Sequence, residues 1–434
     1  MIFERVMSAV GIVVLIGIAV LFSKNRKAIQ LRVILWGIGL QLLFALFILK
    51  TPIGKRIFFV FRDIFMHLLS FTDAGASFLF GNIYRGDPGV VKNLGPGGAG
   101  PIQVWDAASG SFVDLGIIFA FHILPTIIFF ASLMGILYHL GVMQRIVQLM
   151  AWVMQKTMRT SGAESLSVAF DIFVGQTEAP LVVRPYVPTM TKSELMAIMV
   201  SGFSNIAGGV MAAYARFGID PGHMMAASVM SAPAAFVMAK TFLPETEEPL
   251  TKGTVKMKVE RETANVIDAA ATGAADGLKL ALNVGAMLLA FIALIAMVNF
   301  GFQALNNVVP FFPSSLKQVF SWVFAPIAFV MGVPWSDVPE FATLLGTKIT
   351  LNEFVAYVDL GQMIQQGVIS QRTVLIATYA LCGFANFSSI AIQIGGIGGM
   401  APSRRSDLAR LGLRAMFAGA MATATTACIA GILI

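Results

Sequence analysis

Charge is what this sequence has least of. Only 12% of its 434 residues are Asp, Glu, Lys or Arg, against 57% that are hydrophobic, whereas a water-soluble domain carries about 25% charged residues. A mean hydropathy of +0.80 excludes a cytosolic enzyme, a disordered chain and a collagen-like fibre. Cysteine is almost missing: Cys382 and Cys428 both sit in apolar stretches, which excludes a disulfide framework or a thiolate metal cluster. The four histidines, His67, His122, His139 and His223, form no HExxH or other paired ligand spacing, so no metal enzyme is indicated. Basic residues outnumber acidic ones, 30 to 23, but no run of five or six Lys/Arg exists, and a nucleic-acid partner is not expected.

What the chain does have is long apolar runs. A helix crossing about 30 Å of hydrocarbon needs roughly 20 apolar residues, and eight runs qualify: Val6–Phe22, Leu31–Leu49, Leu115–Leu137, Leu195–Tyr214, Met224–Leu243, Leu280–Phe302, Val374–Ile394 and Leu411–Ile434. The reading is an all-α polytopic membrane protein. Val6–Phe22 has one basic residue before it and no small-residue cleavage site, so it is expected to be a retained span. Most basic residues fall in the turns after the odd-numbered spans, from Lys24, Arg26, Lys27 and Arg32 to Arg404, Arg405 and Arg410. By the positive-inside rule these turns are cytoplasmic and both termini lie outside.

Between the runs, Lys55–Phe80 is apolar but broken by Arg62, Asp63, His67 and Asp73, which suits a helix in the outer interface. Met143–Met158 reads as a one-sided helix on the inner surface, Arg85–Asp114 as an external loop with a Gly/Pro run from Gly95 to Pro101, and Pro244–Gly277 as the largest cytoplasmic segment.

Two further apolar segments, Leu166–Val183 and Val333–Val358, are interrupted at their centres. The first holds Asp171 and Gly175-Gln176-Thr177-Glu178-Ala179-Pro180; the second holds Gly346-Thr347-Lys348 and Leu351-Asn352-Glu353-Phe354. Counting crossings makes them two opposed re-entrant hairpins, the first entering from the cytoplasmic side and the second from outside. Each precedes a span with its own polar break: Ser201, Ser204 and Asn205 in one case, Asn386, Ser388 and Ser389 in the other. Interrupted segments in corresponding positions of two inverted halves point to a transporter site near mid-membrane.

An ionised carboxylate at the bilayer centre costs about 2.5–3.5 kcal/mol on insertion scales. Asp171, Glu178 and Glu353 therefore need a polar cavity or a partner; the plainer alternative pairs them with Arg184 or Lys348 to hold each hairpin together. The neighbouring Gln and Asn offer donors and acceptors together, which suits an uncharged solute bearing hydroxyl and amide groups.

These motifs, with Thr191-Lys192-Ser193-Glu194-Leu195, Ile206-Ala207-Gly208, Ala226 to Pro233, Pro244-Glu245-Thr246-Glu247, Asn352-Glu353-Phe354-Val355-Ala356 and Gly383-Phe384-Ala385-Asn386-Phe387-Ser388-Ser389, resemble the concentrative nucleoside transporters from about Leu115 to the C-terminus. The resemblance implies a nucleobase site at Gln176, Thr177 and Glu178, walled by Val210 and Leu280. It implies a ribose site at Glu353, Asn386 and Ser389 with Phe384 beside it. A carboxylate such as Glu353 can accept both hydrogens of a vicinal diol, and charge-assisted bonds are about twice as strong as neutral ones.

In sodium-coupled relatives an Asn five residues before the motif Gln, a Ser or Thr before Ile-Ala-Gly, and nearby backbone carbonyls hold the cation. Here those positions are Asp171, Asn205, Val174 and Ile206. The carboxylate fits a bound sodium ion or a carried proton, and the residues leave both open. No other cofactor is implied. The resemblance further implies an elevator-type mechanism, a homotrimer and a bacterial inner membrane. The corresponding division is a scaffold over residues 1–114, 115–160 and 244–332, and two transport halves over 161–243 and 333–434. Competing readings are a cation-coupled carrier of another small polar solute on the same plan, a channel or sensor, and an intramembrane hydrolase using Glu178 and Glu353, which lacks a nucleophile motif.

Overall fold

The computed structural model describes residues 2–85, 103–106, 110–114, 118–252 and 263–434. The Gly95–Pro101 run and the inner-face residues Lys256, Lys258 and Arg261 lie outside the described residues.

The described residues are mainly helical, with an antiparallel pair of short strands, β1 (Gln103–Asp106) and β2 (Ser111–Asp114), in register Gln103↔Asp114. The first helices are α1 (Ile2–Leu21), α2 (Leu31–Lys50), α3 (Pro52–Phe80), α4 (Asn82–Arg85), α5 (Phe119–His122), α6 (Leu124–His139) and α7 (Val142–Met158). There follow α8 (Gly162–Phe170), α9 (Lys192–Ser204), α10 (Gly208–Arg216), α11 (Pro221–Phe242), α12 (Val266–Val308) and α13 (Leu316–Val330). The last five are α14 (Val338–Thr350), α15 (Glu353–Gln366), α16 (Gln371–Leu381), α17 (Phe387–Met400) and α18 (Arg405–Leu433).

Seven segments among the described residues are long and apolar enough to cross a membrane: α1, α2, α5–α6, α9–α10, α11, α12 and Pro402–Leu433, which contains α18. The eighth expected span, Val374–Ile394, is divided between α16 and α17. The residues between them, Cys382 to Asn386, include Gly383 at φ +151, where a Cβ would meet the Phe203 carbonyl at 2.6 Å. Only glycine tolerates both that backbone and that approach. α9–α10 is broken in the same way at Asn205–Ala207.

Burial separates an inner group from an outer one. The apolar windows of α9–α10, α11 and α18 are 89%, 83% and 72% buried, against 22% for α1, 28% for α2 and for α5–α6, and 11% for α12. The broken helices and the spans after them therefore make the protein interior, and the outer helices leave apolar residues such as Leu35, Leu43, Leu289 and Phe300 exposed.

Two groupings differ from the sequence reading. The N-terminal pair α1 and α2, expected with the scaffold, packs on α11 and α18. Small residues bring these helices close: a Cβ at Gly37 would meet Val237 and the Pro233 carbonyl of α11, one at Gly11 would meet Cys428 Sγ of α18 at 2.9 Å, and one at Gly431 of α18 would meet the Ser8 hydroxyl at 2.6 Å. α6 packs instead along α12, with Gly135, Gly273 and Gly277 against facing backbone, as close-packed membrane helices require. The second difference is α12 itself. The expected span Leu280–Phe302 lies within a 43-residue helix, about 65 Å long at 1.5 Å per residue, so its first turns occupy the end of the segment read as cytoplasmic.

α3 follows α2 after a single residue, Thr51, whose hydroxyl caps the Gly54 amide at 2.9 Å. Its buried face carries Phe65, Leu69, Thr72, Asp73 and Ala76 while Phe71, Phe78 and Leu79 are exposed, the one-sided pattern of a helix covering a surface. The Arg216 guanidinium pairs with Asp73, which also accepts from the Tyr84 hydroxyl at 2.6 Å, tying α3 to the end of α10. α7 likewise buries Met143, Val147, Ala151 and Met154 and exposes Leu149 and Trp152.

The two interrupted segments take different forms. The first runs through α8 to Asp171 and then through short 3-10 turns at Ala179–Val183 and Val187–Thr189 up to the α9 cap at Thr191. Pro180, Pro185 and Pro188 remove the amide donors a second α-helix would need. The second is a pair of α-helices, α14 and α15, joined at Leu351–Asn352, with the Asn352 side chain capping the Val355 amide at 2.9 Å. Both extend beyond the apolar stretches Leu166–Val183 and Val333–Val358.

Candidate transport site

A cavity of about 1750 Å³ opens between the two interrupted segments and the two helix breaks. Gln176, Thr177 and Glu178 line it from the first segment, Val210 from α10, Leu280 from α12, Glu353 from the start of α15, and Phe384, Asn386 and Ser389 from the second break and the first turn of α17. All nine residues singled out for base and ribose thus face one space.

Their side chains interlock. Gln176 Nε2 donates to Ser389 Oγ at 3.1 Å, so the first segment touches the second broken helix directly. Asn386 Nδ2 donates to Glu353 Oε2 at 3.1 Å, and Asn386 Oδ1 caps α17 by accepting from the Ser389 amide at 2.9 Å and the Ser388 hydroxyl at 2.7 Å. Glu353 stands in the first turn of α15, where the amide ends favour a carboxylate, and is 5% exposed. Thr177 and Glu178 are more open, with the Thr177 hydroxyl donating to Glu178 at 3.1 Å. Of the three carboxylates expected to face a polar cavity or a partner, Glu178 is the exposed one, on the wall of the cavity.

Two polar residues that the sequence reading did not select, Tyr214 and Gln393, complete the network. The Tyr214 hydroxyl donates to Glu353 Oε1 at 3.1 Å. Gln393, fully buried in α17, donates from Nε2 to Gln176 Oε1 at 3.0 Å and to the Met199 carbonyl at 3.1 Å. The Met199 carbonyl can only accept, so it fixes the Gln393 amide with its nitrogen inward. That fixes Gln176 with its oxygen toward Gln393 and its N–H groups toward Ser389 and the cavity. Gln393 lies one helical turn beyond Ser389 in an otherwise apolar run, a spacing that puts both on one face and that could have identified it. Lys348, offered by the sequence as a partner for a hairpin carboxylate, lies outside this network. It forms no ion pair with Glu353; its Nζ donates to the Ala380 carbonyl at 2.7 Å and to Thr423 Oγ1 at 3.0 Å.

The four positions assigned to the coupling ion gather where α8 ends against the first break. Asp171, Asn205 and Ile206 are 2%, 1% and 0% exposed, and Val174 lines the cavity. The Ser201 hydroxyl faces the Asp171 carboxylate, and Asn205 Nδ2 donates to the Ser201 carbonyl at 3.2 Å and to its hydroxyl at 3.4 Å. Asp171 and Asn205 are thus linked through Ser201. Ser228 on α11 donates to Asn205 Oδ1 at 3.2 Å and to the Ile172 carbonyl at 3.0 Å, and the Gly208 amide bonds the Phe173 carbonyl at 3.2 Å. These bonds hold residues 172–173 onto the break. No Lys, Arg or His among the described residues neutralises Asp171. A buried carboxylate without a protein cation needs a mobile one or a proton, and the surrounding donors are all hard oxygens.

Profiles of three families together cover most of the chain. They are described as Na+ dependent nucleoside transporter N-terminus, matching residues 10–83, Nucleoside recognition, matching 120–221, and Na+ dependent nucleoside transporter C-terminus, matching 223–431. An uncharacterized transporter of Haemophilus influenzae is 43% identical over 98% of this chain and 97% of its own. Sodium/nucleoside cotransporter 1 of Mus musculus is 41% identical over 99% of this chain and 64% of its own. The solved structure of CNTnw in an inward-facing substrate-bound state superposes with a TM-score of 0.87 at 39% identity, covering 99% of this chain and 98% of that one. A CNTnw variant in an outward-facing state gives 0.89 at 39% identity, with the same coverage. A multi-pass helical membrane protein with this match along nearly its whole length is a transporter and not an enzyme, and the chain belongs to the Na+-dependent nucleoside transporter family.

Proposed function

We propose that this protein imports nucleosides in symport with sodium. The carrying observation is the cavity in which Gln176 bonds Ser389 while Glu353 is held by Asn386 and Tyr214. A nucleoside needs an amide-rich end for its base and an acceptor for its 2′- and 3′-hydroxyls, and the two walls supply these separately. Gln176, Thr177 and Glu178 address the base against Val210 and Leu280. Glu353, Asn386 and Ser389 address the ribose beside Phe384. Because Ser389 accepts from Gln176, its own proton is free for a ribose oxygen, while Glu353 accepts from a ribose hydroxyl.

Sodium is the coupling ion in this reading, bound by Asp171 and Asn205 with backbone carbonyls near Val174 and Ile206. Support comes from relatives named sodium/nucleoside cotransporters and from the absence of a protein counter-charge at Asp171. Filling the site ties the first hairpin to the break at Asn205 and so completes the base wall, because a ligand shifts an equilibrium only through its differential affinity for two states. The hairpins are opposed and re-entrant, and the inner helical group moves against the α6–α12 pair as an elevator. The protein works as a trimer in a bacterial inner membrane, with both termini outside.

The test is uptake of radiolabelled uridine and adenosine into liposomes containing the purified protein, with sodium and proton gradients imposed separately. Accumulation driven by sodium is expected. Failure with every nucleoside, alongside uptake of a different polar solute, would refute the substrate; uptake indifferent to sodium would refute the ion.

A further inference from the structure

The buried ammonium of Lys348 has no part in the site described so far. Lys348 stands in the last turn of α14, 1% exposed, and is held by the Ala380 carbonyl and the Thr423 hydroxyl. Removing a charge from water is costly unless oxygen ligands or an opposite charge replace the hydration, so a lysine placed here calls for a reason.

The order of elements around it repeats that around Asp171, where Ser201 faces the carboxylate and Ser228 bonds Asn205 behind it. In the first half, the end of α8 brings Asp171, the end of the first broken helix brings Ser201 and Asn205, and the span that follows, α11, brings Ser228. In the second half, the end of α14 brings Lys348, the end of α16 brings the Ala380 carbonyl, and the span that follows, α18, brings Thr423. The order is the same in both: a hairpin helix, the end of a broken helix, and a hydroxyl on the next span. The two break regions also touch, since a Cβ on Gly383 would meet Ser204 at 2.9 Å. The sets differ in one respect. The first is an anion among oxygen groups with no cation of its own; the second is oxygen groups around a cation that the chain carries.

We infer that Lys348 is a built-in counterpart of the coupling cation, its ammonium filling in the second half the place that a free ion fills in the first. The inference rests on the reading of Asp171 as the coupling site. A tethered ammonium cannot leave, so the second hairpin stays bonded to α16 and α18 throughout the cycle, whereas the first is completed only when an ion arrives. One half draws an ion from solution and the other does not, so each nucleoside moves with one cation. Lys348 acts here as a positioning residue and touches no substrate.

The charge carried per nucleoside, measured in liposomes from the membrane potential at which net uridine uptake stops, is expected to be one. A value of two overturns the inference, whatever any variant does. Lys348→Asn removes the ammonium and leaves a short oxygen-bearing side chain beside Ala380 and Thr423. Uptake should then require a second sodium ion. The Hill coefficient for sodium should rise from about 1 toward 2, with half-saturating sodium higher on the order of tenfold. If Lys348→Asn transports with the wild-type coefficient and half-saturation, the amine is only a structural peg and the inference falls. If that variant fails to insert, the wild-type ratio decides alone. If wild-type uptake follows the proton gradient instead, the sodium reading has failed separately, and the same ratio taken with protons still decides for or against Lys348.

Discussion

Replacing Gln393 with Met is the sharpest test of the base site, because Gln393 lies behind Gln176 rather than on the cavity wall. Met matches its length and volume, so little cavity or strain is introduced. The change removes the bonds to Gln176 Oε1 and the Met199 carbonyl. Met199 retains its place within α9, but Gln176 Oε1 loses a buried donor, a penalty of about 1–3 kcal/mol. Its amide also becomes free to turn, and re-ordering it on binding costs about 0.5–1.5 kcal/mol. Part of the first penalty falls equally on the bound and empty protein, so we expect about 1.5 kcal/mol of binding to be lost, roughly a tenfold rise in KM for uridine, with the maximal rate nearly kept. Gly202→Ala should act alike from the opposite side, since its Cβ would meet Gln393 Nε2 at 2.7 Å and Gln176 Cβ at 2.8 Å. The assay is initial uptake into liposomes for the wild type, Gln393→Met, Gln176→Ala and the double variant. If Gln393 works through Gln176, its replacement adds nothing once Gln176 is Ala. Additive effects, or a wild-type KM for Gln393→Met, would refute the reasoning.

Three other outcomes follow from the same geometry. Glu353→Gln and Asn386→Ala should each weaken nucleoside binding by about 1–3 kcal/mol, since each leaves a buried partner unsatisfied; wild-type affinity in both, measured calorimetrically, would remove the ribose assignment. Asp171→Asn keeps the shape but not the charge of the coupling site, and half-saturating sodium should rise by at least tenfold, about 1.4 kcal/mol, while nucleoside affinity at saturating sodium changes little. Asp73→Ala strands the Arg216 guanidinium beneath α3 and should destabilise the protein by about 3 kcal/mol, seen as an earlier thermal unfolding in detergent with the uridine KM of the surviving fraction unchanged.

How far the sequence carries can be judged residue by residue. Asp171, Glu353 and Asn386 stand out because a charged or amide side chain inside an apolar run has few explanations, and the structure brings the residues proposed for base and ribose to one cavity. Gln393 was equally legible by that standard and one turn from Ser389, but a single polar residue deep in an apolar helix carries little weight until its partner is known. The packing of α1 and α2 against α11 and α18 leaves a fainter trace, because Gly11 and Gly37 look like any membrane glycine until the atoms they approach, Cys428 Sγ on α18 and the Pro233 carbonyl on α11, are seen.

Lys348 marks the limit most clearly. Sequence offers Glu353, five residues away, as its natural partner, because opposite charges are the only partners that residue identity reveals. In the fold it bonds a backbone carbonyl, and a carbonyl is present at every position and distinguishes none. The oxygens that hold cations at broken helices are of this kind, so the residues that need a counter-charge can be read from sequence while the atoms that satisfy them cannot. The same asymmetry applies to Asp171: its identity asks for a cation or a proton, and only the fold reveals that no Lys, Arg or His among the described residues stands beside it.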